Sequence, residues 1–198
     1  METENIIDEL NALKDEAFRM AVEHGFHDQA YTDEHWMMLI ICEVAEAVEA
    51  DRKGRRADLG CFEEQRYYCG PREAFERNVK DTVEDELADV CIRILDFMGK
   101  EGFSVREDGF PSGVQAGMTL SRMTVQHHGD FCHIAYRLAE GPMGYADEEL
   151  DLYDEASMNH SLGKICGYCE DEGIDILKHI RLKMEYNRTR ERLHGKRY

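Results

Sequence analysis

The chain has 198 residues, 42% of them hydrophobic, which suits one folded domain with its own core. Its 42 acids against 24 lysines and arginines give a formal net charge of −18, which disfavours nucleic-acid polymers and anionic membranes as partners. No apolar run approaches the roughly 20 residues of a bilayer span. The acidic start Met1-Glu-Thr-Glu also lacks the pattern of a secretory signal, so a cytoplasmic protein is expected.

Helical periodicity runs through almost the whole sequence, and only three prolines interrupt it, so an all-α fold is predicted. A first helix is expected from about Glu4 to His24, with Thr3 as its cap and Ile6, Leu10, Leu13, Ala17 and Met20 as its buried stripe. A second follows Thr32 and reaches about Arg52. Gly54 to Gly70, rich in glycine and charge, reads as a loop. Pro71 suits the first turn of a third helix that continues to about Lys100, before Gly102. Phe103 to Gly117 reads as a second loop. Further helices are expected over about Leu120–Glu140, Asp147–Glu172 and Asp175–Leu193. Nothing suggests a linker between domains, so 1–198 is taken as one helical domain with an inserted loop around 54–71.

Seven cysteines is an odd number, and free thiols are the simple reading. Cys166 and Cys169 form a lone CxxC, whereas a closed zinc site needs four ligands.

The chemistry concentrates on two helices. The second reads Glu43-Val-Ala-Glu46 and the third Glu86-Leu-Ala-Asp89. Each pair is spaced i, i+3 and shares one helix face. An ExxE or ExxD pair alone is usually a solvated face, and Glu73/Glu76 has the same spacing. Here, however, both pairs interrupt helices that are apolar nearly all round. Glu43 and Glu46 share a face with Trp36, Leu39 and Ala47, and Glu86 and Asp89 lie among Val79, Val83 and Val90. Buried carboxylates cost several kcal/mol each unless paired or bound to metal. A hard divalent ion solves that problem with oxygen ligands. The last helix adds cations. Lys183, Asn187 and Arg190 lie at i, i+4 and i+7 and can meet phosphate groups, although a basic helix end also suits the helix dipole.

Trp36 to Gly54, Glu84 to Phe97 and Lys183 to Tyr198 together resemble the MazG-like all-α nucleoside triphosphate pyrophosphohydrolases. That family carries an ExxE helix, an ExxD helix, and a Lys and an Asn on a later helix. These match Glu43, Glu46, Glu86, Asp89, Lys183 and Asn187. The resemblance implies an antiparallel four-helix core, a homodimer or homotetramer, and hydrolysis of an NTP or dNTP to the monophosphate and pyrophosphate. It implies Mg2+, with Mn2+ as a substitute, held by the four acids. Lys183, Asn187 and Arg190 would contact phosphate and Trp36 the base. The connection from Glu46 to Glu86 is longer than usual for the family, and Lys53 at its start is a further candidate for phosphate. A carboxylate-bridged di-iron bundle would need Glu-x-x-His motifs. The one available, Glu191/His194, sits at the chain end. A helical protein that binds nucleotide or metal without turnover is the other alternative.

Overall fold

The computed structural model describes residues 3–143, 153–195 and 197, and among these there is helix and no strand. In chain order the helices are α1 (Thr3–Glu23), α2 (Asp33–Arg52), α3 (Leu59–Cys69), α4 (Pro71–Asn78) and α5 (Val83–Glu101). They continue with α6 (Phe110–Gly117), α7 (Leu120–Gln126), α8 (Phe131–Met143), α9 (Glu155–Asp171) and α10 (Ile176–Asn187). A 3-10 turn, Arg192–Gly195, closes the series. No described helix is long and apolar enough to cross a membrane, and all seven cysteines are free thiols.

Helix α5 is the axis of the fold. It packs against α1, α2, α9 and α10. Its apolar residues Leu87, Val90, Cys91, Ile94, Leu95 and Met98 are all essentially inaccessible. A helix with partners on every side needs apolar residues on every side, as its sequence suggested.

Five sequence expectations about the helices are corrected. The predicted third helix is two, α4 and α5, because the chain turns at Asp81, whose φ is 56°. Aspartate tolerates that left-handed conformation better than most residues. Thr82 then starts α5 afresh, accepting the Asp85 N–H on its Oγ1 and donating to the Val79 carbonyl at 2.6 Å. The predicted 54–70 loop contains α3, capped by Asp58, whose Oδ1 accepts the Cys61 N–H at 2.8 Å. Phe62 is its one buried residue, so helical periodicity is nearly invisible there. Helices α3 and α4 share a small second core in which Phe62, Ala74, Phe75 and Val79 meet Leu182 and Tyr186 of α10.

The third correction is α6, inside the predicted 103–117 loop. Its glycines serve helix contact, not a turn. A Cβ on Gly113 would stand 2.1 Å from the His160 carbonyl oxygen, and one on Gly167 of α9 would stand 2.1 Å from that of Val114. The two backbones can approach this closely only without side chains between them. Fourth, the last helix ends at Asn187 rather than Leu193. Leu193 adopts a φ of 51° and its N–H reaches the His24 carbonyl at 2.9 Å. The chain end thereby folds back onto the corner between α1 and α2. The predicted Leu120–Glu140 helix is also interrupted, at His128 (φ 53°), between α7 and α8. The expected start of a helix at Asp147 lies outside the described residues.

The α6–α9 contact is testable. Gly113→Ala and Gly167→Ala should each cost about 1–3 kcal/mol, the usual range for overpacking. The cost should appear as a lower urea midpoint at unchanged slope. Gly60→Ala, whose methyl would meet only the Asp58 carboxylate at 3.4 Å, should change the midpoint little.

Candidate functional site

A cavity of about 270 Å³ lies between α1, α2, α5 and α10. Glu43 and Glu46 from α2 line it, with Glu86 and Asp89 from α5 and Lys183, Asn187 and Arg190 from the α10 end of the chain. Oxygens of Glu43, Glu86 and Asp89 lie within 4.8 Å of one another. Glu46 shares the cavity but is exposed and stands outside that group. Three oxygen donors, two of them on buried residues, are the chemistry a hard divalent cation takes, so these residues fit magnesium or manganese and could hold such an ion.

Two basic side chains already meet these acids. Lys183 Nζ is 2.7 Å from Asp85 Oδ2 and 2.8 Å from Asp89 Oδ2. Arg93 Nε donates to Glu43 Oε1 at 3.1 Å. Burial opposes the charge on Lys183, but Asp89, Asp85 and Glu86 outweigh it and hold the ammonium well above its ordinary range. Burial raises Asp85 to about 6, with Lys183 pulling it down and Asp89 pushing it up. Glu86 is pushed up to about 8. Burial is the largest cause, Lys183 opposes it, and Asp89, Asp85 and Glu46 add to it.

Sequence reasoning missed several residues of this cavity. Arg93 and Asp96 line it from α5, on the face of Glu86 and Asp89, and i, i+3, i+4 spacing along that helix would have found them. Asp96 Oδ1 bonds His27 Nε2 at 2.8 Å. Lys80 and Asp81 line it because the chain breaks between α4 and α5, and His194 because the chain end folds back. Those two features had no signal in the helical pattern.

Two expected residues stand elsewhere. Trp36 is buried outside the cavity, its ring stacked on His27 at 4.7 Å and 16°. It shares a face with Glu43, but seven residues along a helix is about 10 Å. Lys53 lies past the other end of α2, where its Nζ pairs with Glu49 at 3.0 Å on the surface. Arg190 does reach the cavity, and its guanidinium donates to the His194 carbonyl at 3.2 Å.

Compared with protein-family models, with curated proteins and with solved structures, the chain matches none. The functional reading therefore rests on the cavity and on the sequence pattern.

Glu86 makes the metal-free protein pH-dependent. Its folded value of about 8 exceeds the ordinary 4.5, so between these the folded chain holds a proton that the unfolded chain has released. Stability is therefore lost as pH rises through that window. In EDTA, the melting temperature should fall between about pH 5 and about pH 8, and Glu86→Gln should flatten the fall. An unchanged slope in the variant would assign the effect to other groups. Lys183→Ala should lower stability by about 3 kcal/mol in urea titrations, because it leaves Asp85 buried without its cation.

Proposed function

We propose that this chain is a magnesium-dependent nucleoside triphosphate pyrophosphohydrolase of the MazG-like type, releasing pyrophosphate and a monophosphate from an NTP or dNTP. One observation carries the reading. A single cavity joins the ExxE acids of α2 and the ExxD acids of α5 to Lys183, Asn187 and Arg190. The four helices around it, α1, α2, α5 and α10, support the four-helix core that the resemblance implies.

On this reading Glu43, Glu86 and Asp89 hold the magnesium ion, for which manganese can substitute. When bound, that ion polarises phosphate oxygens and makes water more acidic. The chain's own residues supply the remainder. Arg190 brings positive charge to the cavity, where the phosphates of an NTP would lie, and Lys80 lines it too, paired with Asp81. Ala17, Met20, Phe26 and Ile92 give it an apolar wall for the base or sugar, in place of Trp36. Glu46, exposed beside Glu86, accepts the proton that the attacking water gives up. The water oxygen bonds to the α-phosphorus. The bond from that phosphorus to the oxygen bridging to the β-phosphate breaks, and pyrophosphate leaves with that oxygen.

A second reading, a helical protein that binds nucleotide or metal without turnover, has one observation in its favour. Lys183 and Arg93 already pair with Asp89 and Glu43, so the acids are partly neutralised within the chain.

Pyrophosphate release from a panel of NTPs and dNTPs, with and without Mg2+, separates the two. Turnover that requires Mg2+ and falls at least 100-fold in Glu43→Gln and in Asp89→Asn is the expected result, since an amide is a far weaker ligand for a hard cation. Both variants should keep the wild-type helical circular dichroism. Wild-type turnover in Glu43→Gln would exclude this metal centre, and nucleotide binding without release would select the second reading.

A further inference from the structure

The two carboxylates that share Lys183 are not equivalent. The Asp85 side chain has 0% exposure and that of Asp89 18%. Asp85 Oδ2 is fixed from a second side by the Asp81 N–H at 2.9 Å. Asp89 instead belongs to the oxygen group it forms with Glu43 and Glu86. One ammonium therefore stands between a carboxylate locked in the interior and a carboxylate that a cation could claim. Two buried acceptors, Asp85 Oδ1 and Asn187 Oδ1, lack a partner among the described residues. Asn187 is 4% exposed, lines the cavity and lies one helical turn from Lys183 on the same face of α10.

We propose that Lys183 is a built-in competitor for the divalent cation, anchored by Asp85. It neutralises Asp89 while no ion is bound, and yields that carboxylate to the ion without leaving Asp85. This rests on the reading of Glu43, Glu86 and Asp89 as cation ligands. An ammonium 2.8 Å from an Asp89 oxygen and a divalent ion on the same carboxylate repel each other. The lysine stem is flexible and its three donors rotate, so the ammonium can turn while its tether holds. Asp85 Oδ1 and Asn187 Oδ1 are the acceptors to which the freed donors turn, which gives both unpartnered atoms a use. Asp85 is then a positioning residue outside the ExxE and ExxD set. It keeps a positive charge beside the ion site and limits how tightly the ion binds.

The test measures Mn2+ binding to the full chain without nucleotide, by electron paramagnetic resonance and by calorimetry. Lys183→Met should bind Mn2+ about tenfold or more tightly, because the competing charge is gone. Asp85→Asn should bind it more weakly, because Lys183 then depends on Asp89. Both single changes also alter the net charge, so the deciding variant is Lys183→Met combined with Asp85→Asn. It keeps the wild-type net charge and removes both members of the buried Lys183–Asp85 pair together. Competition predicts that it binds Mn2+ about tenfold tighter than wild type, whereas long-range charge alone predicts no change. Wild-type affinity in the double variant would overturn the proposal while leaving the metal centre standing. Failure of the wild-type chain to bind Mn2+, or binding unaffected by Glu43→Gln, would overturn the metal centre and the proposal together.

Discussion

Lys183 reaches from α10 to two carboxylates of α5, and much of the rest of the molecule follows from that contact. Asp85, Glu86, Asp89 and Asp96 all project from the helix at the centre of the fold, and all but Asp89 are buried. Ionised carboxylates in such surroundings are tolerated only when paired or bonded. Lys183 serves Asp85 and Asp89, and His27 serves Asp96. Glu86 has no cation within bonding distance among the described ion pairs, which is why burial can raise its carboxyl so far. A cluster of this kind is held together by the helices that enclose it. It is also left unsatisfied in a way that a hard cation would relieve.

The segment between the two acid pairs has a structural task in that arrangement. Helices α3 and α4 cover the outer side of α10 with Phe62, Ala74 and Phe75. Phe75 stacks on Tyr186 at 4.7 Å, and the Tyr186 hydroxyl donates to Glu76 at 3.2 Å. The Lys183 ammonium lies 5.9 Å from the Phe75 ring centroid. This second core therefore shields Leu182 and Tyr186 of α10 from water and brings apolar surface close to the Lys183 pair, where a lower local dielectric strengthens it. What reads in the sequence as a charged loop is a brace for the cation.

How much could be read from the sequence follows the same division. Long amphipathic helices write their burial into the spacing of apolar residues, so α1, α2 and most of α5 were legible, as were the acids that interrupt them. Arg93 and Asp96 carried the same signal and were overlooked. The helix break at Asp81 and the reversal at Leu193 depend on single left-handed residues, and no periodicity announces those. Helix α6 was hidden for a different reason. Gly109, Gly113 and Gly117 read as chain breakers, yet each faces backbone of α9 at a distance that leaves no room for a Cβ. Glycine marks a turn in one context and close helix contact in another, and only the partner helix distinguishes them. Trp36 failed in the opposite way. The angular argument put it on the right face of α2, but the axial distance took it out of the cavity.

The irregular segments also decide which charges border the cavity. Regular helix supplies the acids of its interior, while Lys80, Asp81 and His194 arrive through a broken helix and a folded-back chain end. The distinction matters for a chain with a net charge of −18, whose overall field repels anions. An anionic ligand can approach such a surface only where positive groups are gathered locally, and Lys80, Arg93, Lys183 and Arg190 are gathered around this cavity. Three of them are engaged with acids of the cavity, Arg93 with Glu43, Lys183 with Asp89 and Lys80 with Asp81. Cations drawn onto the same carboxylates would shift that balance toward the ligand. In the proposed reading, metal and nucleotide therefore favour each other's binding through the charge of one cavity.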